Sequence, residues 1–227
     1  MSNNPYAPPS APVADVEKPV DAGTLNPWFS MWTKPRATIA QIVARDPTHL
    51  VLPLAAISGF SQALDRASMR SAGDTLDLSV IFLLAAIGGP VGGIITLYLG
   101  GLLLRWTGSW IGGTATSEHI RAAVAWSGVP LVWALVLWVP ELALFGKDLF
   151  TTETPRIDAS VGMLLLFLGF AAIEVVVGVW AFVVALKSLG QVQGFSAWKA
   201  LANGLLALLV VIVPIALLAI GVGALNG

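Results

Sequence analysis

Cysteine is absent from the 227 residues, histidine occurs twice, and charged side chains make up 11% of the chain. The first absence excludes disulfides, thiolate nucleophiles and cysteine-based metal sites. His49 and His119 stand far apart in sequence, near the ends of different apolar runs, and are poor material for a shared metal site. The charged fraction is less than half the ~25% of a soluble domain. A formal net charge of -1 lacks the basic surplus that nucleic-acid binding requires. Catalytic signatures are missing too: there is no GxxxxGK[ST] phosphate loop, HExxH pair or GxSxG elbow. Ser127 lies in an apolar run, but no histidine lies within such a run to act as its base. These absences read as a non-enzymatic chain with no catalytic residue, cofactor, metal or nucleic-acid partner.

What is present is apolar surface: 56% of residues are hydrophobic. In a bilayer every backbone polar group must be satisfied inside the chain, and about 20 apolar residues cross it as a helix. The fold class expected is therefore all-α, a polytopic membrane bundle of five transmembrane helices. The clearest span is Ser79 to Trp106, with no charged side chain between Leu78 and Leu104. At about 100° per residue, Ala85, Gly88, Gly89, Gly92, Gly93, Thr96 and Gly100 share one side of this helix. Leu83, Leu84, Ile87, Val91, Ile94, Ile95, Tyr98 and Leu102 occupy the other. Lipid tails are as apolar as leucine, so helices in a membrane associate where small residues let backbones approach. Gly88, Gly89, Gly92 and Gly93 are accordingly read as a packing seam. Pro90 among them removes a backbone hydrogen bond and marks a candidate hinge.

Three regions follow from the rest of the chain. Residues 1–25 hold five prolines among small polar residues, with no apolar period, and read as a disordered tail. Residues 26–47 place Trp28, Phe29 and Trp32 before Lys34 and Arg36, then Ile39, Ile42 and Val43 at helical spacing. Indoles and basic groups favour the headgroup region, so this segment reads as interfacial and amphipathic. Residues 48–227 form the membrane domain. Its first span, Leu50 to Leu64, is the weakest at 15 uncharged residues. The others run from about Ala122 to Val139, broken by Pro130, from Val161 to Leu186, and from Ala200 to Gly227.

With five spans, Lys34, Arg36, Arg45, Arg105, Arg121, Lys187 and Lys199 lie on the N-terminal side, against Arg66, Arg70, Lys147 and Arg156 opposite. Seven basic residues against four put the N-terminus in the cytoplasm and the C-terminus outside an inner membrane. Without a crossing at Leu50 to Leu64 the count becomes four against four and the bias vanishes.

Glu174 lies in the middle of the fourth span. A charged group at the bilayer centre costs at least about 2.5 kcal/mol on insertion scales, which makes it the intramembrane polar candidate of this chain. Gly178, Ala181 and Ala185 share its side of the helix, so it is expected to face other helices. Thr96, or a carbonyl freed by Pro90 or Pro130, is the partner the sequence offers; no intramembrane lysine or arginine is available. Two roles fit: a hydrogen-bonded carboxyl locking helices together, or a group that handles protons or cations.

Three segments carry a resemblance: NPWFSMWTKPRATI at Asn26 to Ile39, RAAVAWSGVP at Arg121 to Pro130, and VQGFSAWKALAN at Val192 to Asn203. In this order they resemble the bacterial branch of the Yip family, membrane proteins named for Ypt-interacting proteins. The resemblance implies about five membrane helices with a cytoplasmic N-terminus and no catalytic site. Eukaryotic relatives carry an Asp-Leu-Tyr-Gly-Pro signature and are associated with small GTPases and vesicle traffic. The nearest counterpart here is Ala86, Ile87, Gly88, Gly89 and Pro90, which keeps only the Gly-Pro. The function expected is membrane organisation or a trafficking-like process through helix packing and contacts with the lipid bilayer, a membrane-protein partner or a second copy. The alternative is a small channel or transporter for protons or cations, built on Glu174 and the glycine-rich helix.

Overall fold

The computed structural model of the chain describes residues 25–226, without the side chains of 221 and 223–226. The expected tail, 1–25, lies outside the described residues except for Leu25, whose backbone exchanges hydrogen bonds with the Gln41 amide at 3.2 and 2.9 Å. The described residues are all-helical, with no strand. The α-helices are α1 (Pro27–Thr33), α2 (Pro35–Arg45), α3 (Val51–Met69), α4 (Leu78–Trp110), α5 (Ser117–Ser127), α6 (Val129–Ala134), α7 (Trp138–Leu144), α8 (Val161–Gln193) and α9 (Ala197–Asn226).

Four stretches are long and apolar enough to cross a membrane: Leu78–Trp110, Ser117–Leu144, Val161–Gln193 and Ala197–Ile220. This corrects the expected count of five. The shortfall is α3, whose apolar part ends at Leu64 and whose 19 residues include Gln62, Asp65 and Arg66. Those polar residues lower its hydropathy below that of a free-standing span, although its 19 residues are long enough to cross beside another helix.

α3 is nonetheless the partner of α4. Ala55, Gly59 and Phe60 approach Gly93 and Gly89, while Leu64 meets Ile81 and Ala85, so rising numbers on one helix meet falling numbers on the other. The two form an antiparallel hairpin. Along α4 the buried residues Ile81, Ala85, Gly89, Leu97 and Gly101 recur in steps of four or eight, which keeps one narrow ridge against the bundle. The opposite side carries Leu83, Leu84, Ile87, Val91, Ile95, Tyr98 and Leu102 outward. This outer surface is as apolar as lipid.

The Ser117–Leu144 stretch is not one regular helix. α5 ends at Gly128, Pro130 opens α6, and Leu135–Leu137 forms a 3-10 turn before α7. A proline in the first turn is tolerated because its missing N–H has no helical partner there. The segment stays coiled through all these breaks and ends at Leu144, five residues beyond the expected Val139.

Beyond α7 the chain covers the α3–α4 hairpin. Phe150 is fully buried among Leu64, Ile81 and Ala85, and stacks on Trp138 with ring centroids 5.7 Å apart. Ser68 donates its hydroxyl to the Leu149 carbonyl at 2.6 Å. The Asp148 carboxylate accepts the backbone N–H groups of Arg156 and Ile157 at 2.6 and 3.2 Å, which folds the rest of this loop back on itself.

Candidate functional site

The three segments that carry the family resemblance come together at two structural joints. In the first, α1 and α2 pack against α5, α6 and α8. Met31 and Ile39 are fully buried in the same core as Trp126. Trp28 meets Trp126 edge-on with centroids 5.7 Å apart. Three indoles then donate to backbone carbonyls of the preceding segment: Trp126 to His49 at 3.0 Å, Trp133 to Trp28 at 3.3 Å, and Trp180 to Trp32 at 3.0 Å. Indole suits this task because it buries a large apolar ring and still supplies one directed donor. The 26–47 segment thus buries its apolar side in protein, with seven residues of α2 buried from Pro35 to Ile42.

The second joint ties the ends of α4, α8 and α9. Gly194 turns the chain out of α8 at φ 76°, a left-handed conformation that favours glycine. The Phe195 N–H closes back on the Gly190 carbonyl at 2.9 Å. This turn sets Gln193 and Asn203 side by side, both almost wholly buried. Their amide nitrogens donate to the Leu104 carbonyl at 3.2 and 3.0 Å. Thr107 donates to Asn203 Oδ1 at 2.7 Å, and Gln193 Oε1 accepts the Ala115 N–H at 3.4 Å. Buried amides need partners for both ends, and this cluster supplies them.

The glycine seam is divided. Gly89 and Gly93 lie so close to α3 at Ala55, Gly59 and Phe60 that a methyl group on either would overlap its backbone. Around Gly88, Gly92 and Gly100, nothing lies within 4 Å of where such a methyl would stand. Pro90 sits between the two sets, inside a helix that continues to Trp110.

Glu174 is half-buried and lines two adjoining cavities of about 220 and 360 Å³. Both are bounded by Asp65, Trp138, Ala171 and Glu174, and the smaller one also by Glu141. Three carboxyl groups, from α3, α7 and α8, therefore surround one cleft. Asp65 is exposed at its side, while Glu141 is 5% exposed and has no hydrogen bond or ion pair among the described residues. Thr96, the partner the sequence offered for Glu174, borders other cavities instead.

Asp65 and Glu141 were legible only as members of polar connections flanking spans. The α3–α4 pairing and the coiled path through α6 and α7 bring them level with Glu174. A signal was available in Pro140–Glu141, since proline followed by glutamate suits the first turn of a helix as well as a loop.

Ser127 gives its hydroxyl to the Val124 carbonyl of its own helix at 2.7 Å. His49 stacks on Trp126, remote in sequence from His119 and with no third ligand. Among the described residues, no three His, Asp or Glu side chains are placed to hold one metal ion.

Comparison with curated proteins and with solved structures gave no match. The Yip1 domain matches residues 29–219, a stretch that takes in the second joint, all of the first but Trp28, the divided glycine helix and the carboxyl cleft. With α2 to α8 and most of α1 and α9 inside that match, the chain belongs to the Yip1 domain family.

Proposed function

We propose that this chain is a non-enzymatic integral membrane protein of the Yip type that acts through helix packing and contacts with protein or lipid, in membrane organisation or a trafficking-like process. The observation that carries this reading is the open half of the glycine seam. Gly88, Gly92 and Gly100 offer α4 backbone to a neighbouring helix, and small residues at such spacing are the means by which membrane helices associate. The occupant is a helix of a membrane-protein partner or of a second copy.

In this reading the N-terminus is cytoplasmic, the C-terminus lies outside, and α3 crosses as the antiparallel companion of α4. Supporting it are the seven-to-four basic bias and the length of α3, 19 residues or about 28 Å at the helical rise.

The cysteine-free chain makes the test direct. Gly92→Cys in native membranes should give a discrete cross-linked product with a thiol-reactive bifunctional reagent, whereas Val176→Cys on the exposed face of α8 should give none. Equal labelling patterns at the two positions would remove the helix-docking role.

A second reading, a small channel or transporter for protons or cations, is favoured by one observation: Glu174 shares its cleft with two further carboxyls and no lysine or arginine. Liposomes containing the purified protein would test it by proton or cation flux, absent in Glu174→Gln.

A further inference from the structure

We propose that the cleft between α3, α7 and α8 is a binding site for an aliphatic di- or polyamine, held as its ammonium form by Asp65, Glu141 and Glu174. The inference takes its location from the cation reading of Glu174 but requires no transport.

Glu141 points to a ligand. Its side chain is 95% buried, borders the 220 Å³ cavity, and receives no hydrogen bond or positive charge from the described residues. A buried carboxylate without a partner carries a large desolvation penalty, and two more carboxyls beside it add repulsion rather than relief. Arg66, which follows Asp65 on α3, gives its guanidinium to Gln62 at 3.2 Å. It lines neither cavity of the cleft.

The shape of the site selects among cations. The three carboxyls are not placed to ligate one metal ion. They are instead spread around adjoining spaces of about 220 and 360 Å³, room for an extended molecule rather than an ion. The walls between them include Trp138, Phe167 and Ala171. Trp138 is held by its stack on Phe150, and Phe167 by its edge contact with Phe145 at 5.6 Å. Apolar walls suit an alkyl stem, aromatic rings attract a cation, and separated carboxylates match ammonium groups at two ends of that stem.

The test is calorimetric titration of the full chain in detergent with putrescine and with spermidine, against 1,4-butanediol and calcium chloride at matched ionic strength. Saturable amine binding is expected, with no heat from the diol. Glu141→Gln and Glu174→Gln should each weaken it about tenfold or more, since each removes one charge-assisted contact. Glu153→Gln, exposed in the 151–160 loop, should leave it unchanged. If Glu141→Gln does not fold, Glu174→Gln carries the comparison. No saturable binding, equal loss with Glu153→Gln, or calcium displacing the amine would each overturn the proposal. Amine binding without flux in liposomes would keep the site and remove the transport reading.

Discussion

Thr107 donates its hydroxyl to Asn203 Oδ1 at 2.7 Å across 96 positions of sequence, inside a core where both side chains are fully buried. Asn203 passes the interaction on to the Leu104 carbonyl, so a single amide joins α9 to two points on α4. Replacing Asn203 with Ala leaves the Thr107 hydroxyl only the Leu103 carbonyl at 2.9 Å and removes the amide donor to Leu104. A loss of about 1–3 kcal/mol is expected, read as a lower melting temperature in detergent. An unchanged melt would show that the joint contributes nothing to stability.

The split glycine seam makes two substitutions behave oppositely. Gly59→Ala drives a methyl group into the backbone of α4 at Gly89 and Gly93 and should cost about 1–3 kcal/mol. Gly92→Ala meets open space and replaces a poor helix former with the best one, so it should be neutral or stabilise by up to about 1 kcal/mol. Thermal melts of the two variants side by side decide the matter. On the same argument Gly93→Leu should be far more harmful than Ile94→Leu.

Acid should loosen the loop that covers the α3–α4 hairpin. The Asp74 carboxylate accepts the Thr152 hydroxyl at 2.6 Å and its N–H at 3.0 Å, which holds its pKa below the ordinary 3.8. A carboxyl depressed in the folded state stabilises it above the unfolded pKa. That contribution is lost as pH falls below about 4 toward the folded value. Melting temperature followed from pH 6 to pH 3 should therefore drop less steeply in Asp74→Asn than in the native chain. Parallel curves would assign the acid sensitivity elsewhere.

Topology can be read with a reporter active only outside the cytoplasm. Fused after Gly227 it should be active, and inserted between Gly112 and Thr116 it should be silent. Activity between Gly112 and Thr116 with silence after Gly227 would mean that α3 does not cross and that both chain ends share the cytoplasmic side.

How much was legible in the sequence depended on range. The apolar run from Leu78 to Leu104 determined a membrane helix, and its wheel separated the residues now exposed, Leu83, Leu84, Ile87, Val91 and Ile95, from the small ones. Both are local properties, because a helix turns by a fixed angle per residue and burial follows the face. The Trp, Gln and Asn positions of the three family segments could be quoted, but not what they hold. Trp180 to Trp32 spans 148 positions, and periodicity carries no information about a partner that distant.

Tertiary structure decided which glycines were used. Gly88 and Gly89 look alike on a wheel; only the placement of Gly59 on α3 makes one a contact and leaves the other open. It also decided the surroundings of Glu174. The sequence placed this carboxyl among small residues and left its partner to a hydroxyl or a carbonyl. The coiling of residues 129–144 through Pro130 and Pro140 instead brings Glu141 inside, and the α3–α4 hairpin brings Asp65 alongside. Composition and spacing determine which residues can enter the membrane, because transfer from water is a property of each side chain. Which of them meet depends on how whole helices pack, an interaction set jointly by distant segments such as those of Asp65 and Glu174, 109 positions apart.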